Sequence, residues 1–347
     1  MNRQILYIIA AVMLLSAIAT SCKKGKEDIP WMTIVQTEYY NWILFRLAGS
    51  GTAMIDWGDG TIETYTLSAY NVSDWENGYL ENARQKYNFK YIYPDRYFTT
   101  ITITGEDITH LDFYDYPNDI KNLDVSNNPN LTYLNCGYKG LTSLDVSKNT
   151  KLEYLNCSNT DQYQKFIYMT ELNVSKNTKL KVLSCSSHQI TSLDVSKNTV
   201  LEKLDCNNNH ITSLDVNNNT VLNELKCHYN KITSLDVNNN IMLKELNCFN
   251  NQLESINVSN NTLLTFLDCG KNQIADLDVS NNILLINLSC SYNIMSFNSL
   301  NDLFETLHNY PGFKMIHIGY NQGTESCDQS IAQDKGWNVL TYAYDYY

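Results

Sequence analysis

Apolar residues recur with a period of 21 residues from about residue 107 onward. The turn from Leu201 to Val221 reads LEKLDCNNNHITSLDVNNNTV, and two closely similar turns follow it. One spacing is 28 residues, because the segment 161–169 (DQYQKFIYM) brings an insertion of seven residues. The recurring apolar positions in the quoted turn are Leu201, Leu204, Cys206, Ile211, Leu214 and Val216. A lone turn cannot bury these side chains but stacked turns can, so the pattern predicts a solenoid.

Each turn consists of two half-units of the form L-x-(C/V)-x-x-N. The alternation of apolar and polar residues around Leu204 predicts a short strand in the cysteine half-unit. An asparagine follows each of these leucines by five residues, as in Asn209 and Asn219. Its amide is expected to satisfy backbone groups where the chain bends. Near the insertion the asparagine column is interrupted by Lys139, Thr160 and His188. These substitutions predict irregular turns there.

The segments before and after the repeats have different patterns. Residues 31–106 contain β-branched and aromatic runs bounded by glycine, NWILFRLAG and YFTTITITG, which predict strands. The pair Asp59-Gly60 predicts a turn between two of them. Asp56 and Asp59 offer too few oxygens for calcium, so we expect them to shape that turn. In residues 296–347, the helical spacing of Leu300 and Leu303, followed by one more half-unit, predicts an α/β cap.

These motifs resemble known families. The repeats resemble internalin J-like leucine-rich repeats with the consensus LxxLxCxxNxLxxLDVxxNxx, and DWGDGT with YIYPDRYFTTITITG resembles a PKD-like domain. The layout is similar to that of leucine-rich-repeat surface lipoproteins of Bacteroidetes. The resemblance implies a mainly β chain: a PKD/immunoglobulin-like β-sandwich (31–106), a leucine-rich-repeat solenoid of about eight 21-residue turns (107–295) and an α/β C-terminal cap (296–347).

The first residues have the pattern of a targeting segment. Arg3 precedes ILYIIAAVMLLSAIA, an apolar run too short for an ordinary membrane span, and the run ends in ATSC. ATSC resembles a bacterial lipobox, which predicts a lipoprotein signal peptide at 1–21, a lipidated Cys22 and a tether over 22–30. The alternative is a plain secretory signal followed by an unrelated cysteine. A lipoprotein would be exported to the cell envelope, at the outer membrane or exposed on the cell surface, and held only by its acyl chains.

Composition narrows the classes of function. The net charge of -12 makes nucleic acid an unsuitable partner, because phosphate binding needs clustered Lys and Arg. The sequence contains no H-E-x-x-H, G-x-S-x-G, C-x-x-C or Walker motif, so no enzymatic activity, cofactor or metal site is predicted. The 25 tyrosines are typical of surfaces that bind other molecules.

Eight cysteines occupy the same position of successive turns. An even number of cysteines in an exported protein suggests disulfides. In-register strands, however, keep Cβ atoms about 4.8 Å apart, whereas a disulfide needs about 3.8 Å. A linear thiolate column also lacks the tetrahedral geometry that zinc prefers. We therefore predict that the column packs as small apolar side chains. Its members are Cys136, Cys157, Cys185, Cys206, Cys227, Cys248, Cys269 and Cys290.

The outward positions of the cysteine half-units vary from turn to turn, whereas those of the L-D-V half-units barely change. A variable face mixing aromatic and charged groups suits extended binding, although drift on a solvated surface explains it as well. The candidate ligand-binding residues are Tyr133, Tyr154, Lys203, Glu224, Lys226, His228, Tyr229, Glu245, Phe249 and Phe266.

Two functions are compatible with this face. The first is a lipid-anchored binding protein of adhesin or adaptor type, with a protein or glycoprotein ligand that could be a host molecule; the adhesin role is implied by the internalin resemblance. The second is glycan capture for a nutrient uptake system, because exposed aromatic rings stack on sugars. That alternative would use Tyr133, Tyr138 and Tyr154 with the loop residues Tyr163, Phe166 and Tyr168.

Overall fold

The computed structural model describes residues 29–36, 41–70, 88–94, 99–113, 120–159 and 168–342. Within them the chain is mainly β, which confirms the predicted architecture of a solenoid with few helices. The predicted signal peptide, the lipidated Cys22 and most of the tether lie outside the described residues, as do Thr160, Tyr163 and Phe166. Neither helix in the described part of the chain has the length and apolar character needed to cross a membrane.

The N-terminal part holds six strands, and the repeats hold one short strand per turn. The first six are β1 (Trp31–Gln36), β2 (Trp42–Asp56), β3 (Ile62–Thr66), β4 (Asn88–Ile92), β5 (Thr99–Asp112) and β6 (Ile120–Asp124). The repeats form β7 (Tyr133–Asn135), β8 (Tyr154–Asn156), β9 (Val182–Ser184), β10 (Lys203–Asp205), β11 (Glu224–Lys226), β12 (Glu245–Asn247), β13 (Phe266–Asp268) and β14 (Asn287–Ser289). The C-terminal elements are α1 (Phe297–Thr306), β15 (Met315–His317), α2 (Ser330–Asp334) and β16 (Asn338–Leu340).

The N-terminal strands are antiparallel. Strand β1 lies between β5 and β6, and β2 pairs with β3, β4 and β5. The aromatic ring of Phe45 contacts those of Trp57, Phe89 and Phe113 in the core that these strands enclose. Asp59 accepts hydrogen bonds from the Thr61 backbone N–H (2.9 Å) and the Tyr91 hydroxyl (2.7 Å), as expected for a turn-shaping residue. The resemblance of this part to a PKD domain stays a prediction.

Strand β5 belongs to both parts of the chain. Its first half pairs with β1, whereas its last three residues pair in parallel with β7, so that His110 lies beside Tyr133. The division placed at residue 106 therefore falls within this strand. As a result, the N-terminal strands and the repeat strands form one continuous sheet of 16 strands.

The repeat strands β7 to β16 are parallel and in register. Leu204 lies beside Leu183 and Leu225 in the neighbouring turns, and all three side chains are buried. The register continues from Tyr154 to Val182 across the inserted loop, because the extra residues leave the strands unchanged. The in-register leucine, cysteine and valine columns make a continuous core, and the stack gains stability from contacts between adjacent turns.

The L-D-V half-units have a structural reason for their constancy. Asp215 accepts a hydrogen bond from the Asn217 backbone N–H (2.9 Å), which forms a turn immediately after the buried Leu214. The same turn bond is made by Asp145, Asp194, Asp236 and Asp278 in other repeats. The constant carboxylate column therefore shapes the backbone of the solenoid.

Two buried asparagine columns tie each turn to the one before it. In the valine half-unit, Asn219 Nδ2 donates to the carbonyls of Val195 (3.1 Å) and Asn198 (2.8 Å). In the cysteine half-unit, Asn209 Nδ2 donates to the Cys185 carbonyl (3.0 Å), and its Oδ1 accepts from the Ile190 N–H (3.1 Å). A buried backbone group without a partner is costly, so these amides hold the bends together.

His188 performs the same role in the column where an asparagine was expected. Its Nε2 donates to the Cys157 carbonyl (2.8 Å), and its Nδ1 accepts from the Met169 backbone N–H (3.1 Å). Burial lowers the pKa of His188 below its usual value, which favours the neutral ring that this pair of bonds requires. The turn next to the insertion is thereby kept regular by a different side chain, and the prediction of an irregular turn at this position is wrong.

All eight cysteines of the repeat column are buried and free. Desolvation by burial raises the pKa of the Cys136 and Cys227 thiols to about 12. The Cys157 thiol lies 3.6 Å from the Ser184 carbonyl oxygen of the next turn. Neutral, buried thiols behave as small apolar groups, so the column fits the space between the leucine and valine columns.

We expect thiol reagents to label at most two of the nine described cysteines in the folded protein, and Cys327 first. Cys327 is only partly buried, whereas the column thiols are inaccessible and neutral. Mass spectrometry after native and denatured labelling measures this directly, and Cys327→Ser should remove most of the native signal. Rapid labelling of several column cysteines, or disulfides between them, would contradict the packing role.

The C-terminal cap covers the open end of the stack. The Ser296 hydroxyl accepts from the Ser299 N–H and caps the start of α1. Trp337 is buried, and its indole N–H donates to the His308 carbonyl (2.9 Å). The buried Lys314 ammonium donates to the carbonyls of Tyr310 and Lys335 and so connects β15 to the end of α2.

Candidate functional site

The outward side chains of the repeat strands form one surface, which we call the strand face. It consists of the residues on either side of the buried leucine in β7 to β14 and the two residues after each column cysteine. Parallel register places these positions in straight columns, as for Lys203, Glu224, Glu245 and Phe266. Adjacent turns are about 4.8 Å apart, so side chains on consecutive turns are in contact.

The N-terminal end of the strand face is a stack of aromatic rings. Tyr70 lies 4.0 Å from His110, His110 lies 5.5 Å from Tyr133, and Tyr133 lies 4.3 Å from Tyr154, all measured between ring centroids. The ring planes are within 19° of parallel in every pair. Burial lowers the pKa of His110 to about 4, so its ring is neutral at physiological pH. The stack extends the strand face from the repeats onto strand β5.

This stacking limits what Tyr133 can bind. Its two ring faces are occupied by His110 on one side and Tyr154 on the other. Sugar recognition by aromatic rings uses the ring face, whereas only the edge of this ring remains open. Tyr133 and Tyr154, which were predicted to bind a ligand, therefore pack against each other in this stack.

The centre of the strand face carries a charged group of three residues. The Glu224 carboxylate lies 2.8 Å from the Lys203 ammonium and 2.5 Å from that of Lys226. Both lysines lower the pKa of Glu224 through hydrogen bonds and charge, against the effect of burial. Ion pairs this exposed contribute little to stability, so their main effect is to fix a charge pattern on the surface.

An aromatic cluster lies beside these charges, on two consecutive turns. The Tyr229 ring contacts His228 (5.7 Å) and Phe249 (5.5 Å) in edge-to-face geometry. Desolvation, with a smaller effect from Lys226, lowers the pKa of His228 to about 4. Gly270 in the next turn leaves room for the Phe249 ring, since a Cβ there would lie 3.0 Å from its Cδ2 atom. The absence of a side chain at Gly270 thus leaves the space that the Phe249 ring of the adjacent turn occupies.

The second residue after the column cysteine has a left-handed backbone in seven of the eight cysteine half-units. Tyr229 has a φ of 54°, and Asn208 and Asn250 occupy the same position in the adjacent turns with φ of 52° and 55°. Asparagine tolerates this conformation better than tyrosine, for which it costs about 1 kcal/mol. The other non-glycine residues of the series are Tyr138, Ser187, Lys271, Tyr292 and Tyr320.

The structure thus divides the predicted binding residues into two groups. Lys203, Glu224, Lys226, His228, Tyr229 and Phe249 form a continuous patch on three turns, and Glu245 and Phe266 extend the column to β13. Tyr133 and Tyr154 belong to the aromatic stack, and β9 with Val182 separates them from this patch.

Sequence comparison of the columns missed two features of this surface. Asp268 lies on β13 between Asn247 and Ser289, and its side chain is buried although the column is otherwise half-exposed. Burial raises its pKa to about 6, opposed by hydrogen bonds from Gly270 and Ser289. Tyr70 and His110 were missed as members of the stack, because they come from outside the repeats.

The described residues contain no group of His, Cys, Asp and Glu that could hold a metal ion.

Comparison with known proteins identifies solved structures that are similar to the solenoid. The functional domain of InlJ from Listeria monocytogenes, which includes a cysteine ladder, is 32% identical with a TM-score of 0.57, over 69% of this chain and 56% of that one. A leucine-rich-repeat protein of Leptospira interrogans is 21% identical (TM-score 0.52; 63% and 56% covered). The ectodomain of the Arabidopsis thaliana receptor kinase GASSHO1, in complex with CASPARIAN STRIP INTEGRITY FACTOR 2, is 19% identical (TM-score 0.51; 63% and 29%).

The chain spans a little over half the length of these two bacterial proteins, 56% in both cases. No protein-family model matches the chain, and neither does any curated protein. The repeat part has the fold of leucine-rich-repeat proteins of internalin type, including the column of cysteines in its core.

Proposed function

We propose that this leucine-rich-repeat chain binds a protein partner through the centre of its strand face, as an adhesin or adaptor of the cell envelope. The observation that carries the proposal is the patch of Lys203, Glu224, Lys226, His228, Tyr229 and Phe249 on three consecutive turns. Aromatic anchors surrounded by charged groups are typical of the energetically dominant parts of protein interfaces.

The side chain of Tyr229 supports the same surface. Its left-handed backbone carries a steric cost that asparagine, the residue in both adjacent turns, largely avoids. A tyrosine there is unfavourable for the fold alone, but it projects a partly exposed aromatic ring beside Phe249. Because the left-handed backbone recurs along the solenoid, it is the exposed ring of Tyr229 beside Phe249, and not the strain, that supports a binding role.

Export and lipid anchoring are the second component of the proposal. The ATSC sequence and the apolar run before it support acylation of Cys22 and placement in the cell envelope, at the outer membrane or the cell surface. The resemblance of the repeats to those of internalins implies an adhesive or adaptor role, and the ectodomain complex is an example in which this fold is bound to another protein. No reaction is assigned to the chain.

The glycan-capture alternative depends on the aromatic residues near the insertion. Tyr133 has both ring faces covered by other rings, which argues against sugar stacking there. Tyr138 keeps 47% of its surface exposed, whereas the other described rings of that group, Tyr133, Tyr154 and Tyr168, are half-buried. Glycan binding is therefore retained as an outcome of the following experiment.

We expect the purified chain to bind a glycoprotein on an array of host-surface and matrix glycoproteins, and to retain binding after enzymatic removal of the glycans. Truncation of an aromatic hot spot typically costs 2 kcal/mol or more, so Tyr229→Ala and Phe249→Ala should each weaken binding about 30-fold. Tyr154→Ala changes a tyrosine of the same face, three turns from Tyr229 and four from Phe249; it is the matched control and should bind normally.

The array also carries free glycans, which separates the two functions. Binding to free glycans that is lost in Tyr138→Ala and unaffected by Phe249→Ala would contradict the proposal and favour nutrient capture. Far-ultraviolet circular dichroism of each variant checks that the solenoid remains folded.

A further inference from the structure

A row of exposed aliphatic side chains lies along the solenoid, away from the strand face. It consists of the residue immediately before the first buried leucine of each turn, and we call it the apolar row: Val200, Val221, Met242, Leu263 and Leu284. In the three preceding turns the same position holds Asn130, Lys151 and Lys179. At this position the change from polar to aliphatic residues extends over five consecutive turns.

Further aliphatic side chains widen the apolar row at its C-terminal end. The preceding position in each turn holds Thr199, Thr220, Ile241, Thr262 and Ile283, and Ile286 lies just beyond the buried Leu285. Leu263 is half-buried, and seven aliphatic residues here are exposed, with 42% to 55% of their surface accessible: Val200, Val221, Ile241, Met242, Ile283, Leu284 and Ile286. The ten positions in these two columns include no charged residue, in a chain whose net charge is -12.

The row is contiguous because the turns are stacked directly on one another at this position. The Asn223 backbone N–H donates to the Glu202 carbonyl (2.8 Å), and the Lys244 N–H donates to that of Asn223 (2.9 Å). Adjacent turns are therefore about 4.8 Å apart, and the aliphatic side chains form one surface. Monomeric proteins seldom expose a contiguous apolar patch of more than a few hundred Å², so a continuous row of exposed aliphatic side chains points to an interface.

We propose that the apolar row is covered by the same row of a second copy of this chain, packed antiparallel about a two-fold axis near Met242. Two strongly acidic copies repel each other over most of their surfaces, so they can associate only through an uncharged face. An antiparallel arrangement places all five turns of one row against all five of the other, with Met242 in the middle. Such pairing is self-complementary, as two-fold interfaces must be.

Composition favours a second copy over a different protein. Interfaces with other proteins are enriched in aromatic residues and arginine, and the apolar row has neither. One row of side chains on each copy is a small contact beside the about 1,200 Å² in total that the smallest specific interfaces bury. The dimer is therefore weak and concentration-dependent, and it leaves the strand face free for a partner. This inference is independent of the proposed ligand.

The test uses the full chain with Met242→Cys, in a background of Cys22→Ser and Cys327→Ser. The remaining cysteines are buried in the column, so oxidation reports the contact at position 242. We expect a disulfide-linked dimer from Met242→Cys. Lys151→Cys, in the same position of an earlier turn, is the matched control and should give at least tenfold less. Equal yields from the two variants would overturn the proposal.

The orientation and the apolar nature of the contact can be tested in the same background. A mixture of Val200→Cys and Leu284→Cys should give the mixed dimer, whereas a dimer of Val200→Cys with itself would contradict the antiparallel arrangement. Adding Val221→Lys and Leu263→Lys should reduce the Met242→Cys dimer at least tenfold. Lysine occupies this position in two earlier turns, so the fold should tolerate it. Ser213→Lys with Ser255→Lys adds the same charges at exposed positions elsewhere and should have no effect.

Discussion

Asn230→Ala is expected to lower the free energy of unfolding by about 3–5 kcal/mol. Asn230 Nδ2 donates to the carbonyls of Cys206 (3.0 Å) and Cys227 (3.0 Å), and its Oδ1 accepts from the Ile211 N–H (3.0 Å). Alanine would leave these buried backbone groups without partners, and each such group costs about 1–3 kcal/mol. The side chain cannot be replaced by water without opening the contact between adjacent turns.

Urea unfolding followed by circular dichroism measures this loss. Asn218→Ala removes an exposed asparagine from the neighbouring half-unit and should change the free energy of unfolding by less than about 0.5 kcal/mol. A loss below about 1 kcal/mol for Asn230→Ala would show that the asparagine column is not what holds the bends.

Asp268→Asn is expected to raise the free energy of unfolding at pH 7.5, by up to about 3 kcal/mol. Burial raises the folded-state pKa from 3.8 to about 6, and each unit corresponds to about 1.4 kcal/mol. The folded state thus binds the proton more tightly than the unfolded state. The contribution of the Asp268 side chain to the free energy of unfolding is fully present below pH 3.8 and is lost as the pH rises through about 6.

The asparagine variant avoids this loss because it carries no charge. Asn247 in the adjacent turn accepts the same kind of backbone hydrogen bond, from the Phe249 N–H (3.1 Å), so the backbone of the turn can be kept. The gain should therefore disappear at pH 4. Asp215→Asn, an exposed aspartate in a similar turn, is the control and should have little effect at either pH. A gain that is independent of pH would contradict the assignment to the buried charge.

The period of the repeats predicts the solenoid and its columns because every turn meets the same neighbours. The positions of Leu204, Cys206 and Asn209 could be predicted from one turn and apply to all. The cysteine column follows from the same reasoning, since in-register stacking fixes both the burial of the thiols and their separation.

Features that arise where the repetition is interrupted could not be predicted in this way. Strand β5 joins the N-terminal sheet to the solenoid, so the stack on Tyr133 includes His110 and Tyr70 from outside the repeats. His188 replaces an asparagine because its two ring nitrogens can reach the same kinds of backbone groups, which depends on local geometry.

The candidate site was partly predictable for a similar reason. Variation along the outward columns identifies Tyr229 and Phe249, because register alone brings them together. The left-handed backbone of Tyr229 was not evident from residue type, since tyrosine seldom adopts it. The apolar row would have been visible in the sequence if the positions before each buried leucine had been compared between turns.

The most direct test of the proposed binding role compares Tyr229→Asn with Ser187→Asn, using the deglycosylated protein ligand from the array. Both residues have left-handed backbones in equivalent positions, and asparagine occupies that position in two other turns. We expect both variants to keep the free energy of unfolding within about 1 kcal/mol of the wild-type value, and only Tyr229→Asn to lose affinity, by at least tenfold. Unchanged binding by Tyr229→Asn, or an equal loss in Ser187→Asn, would contradict a binding role for this part of the strand face.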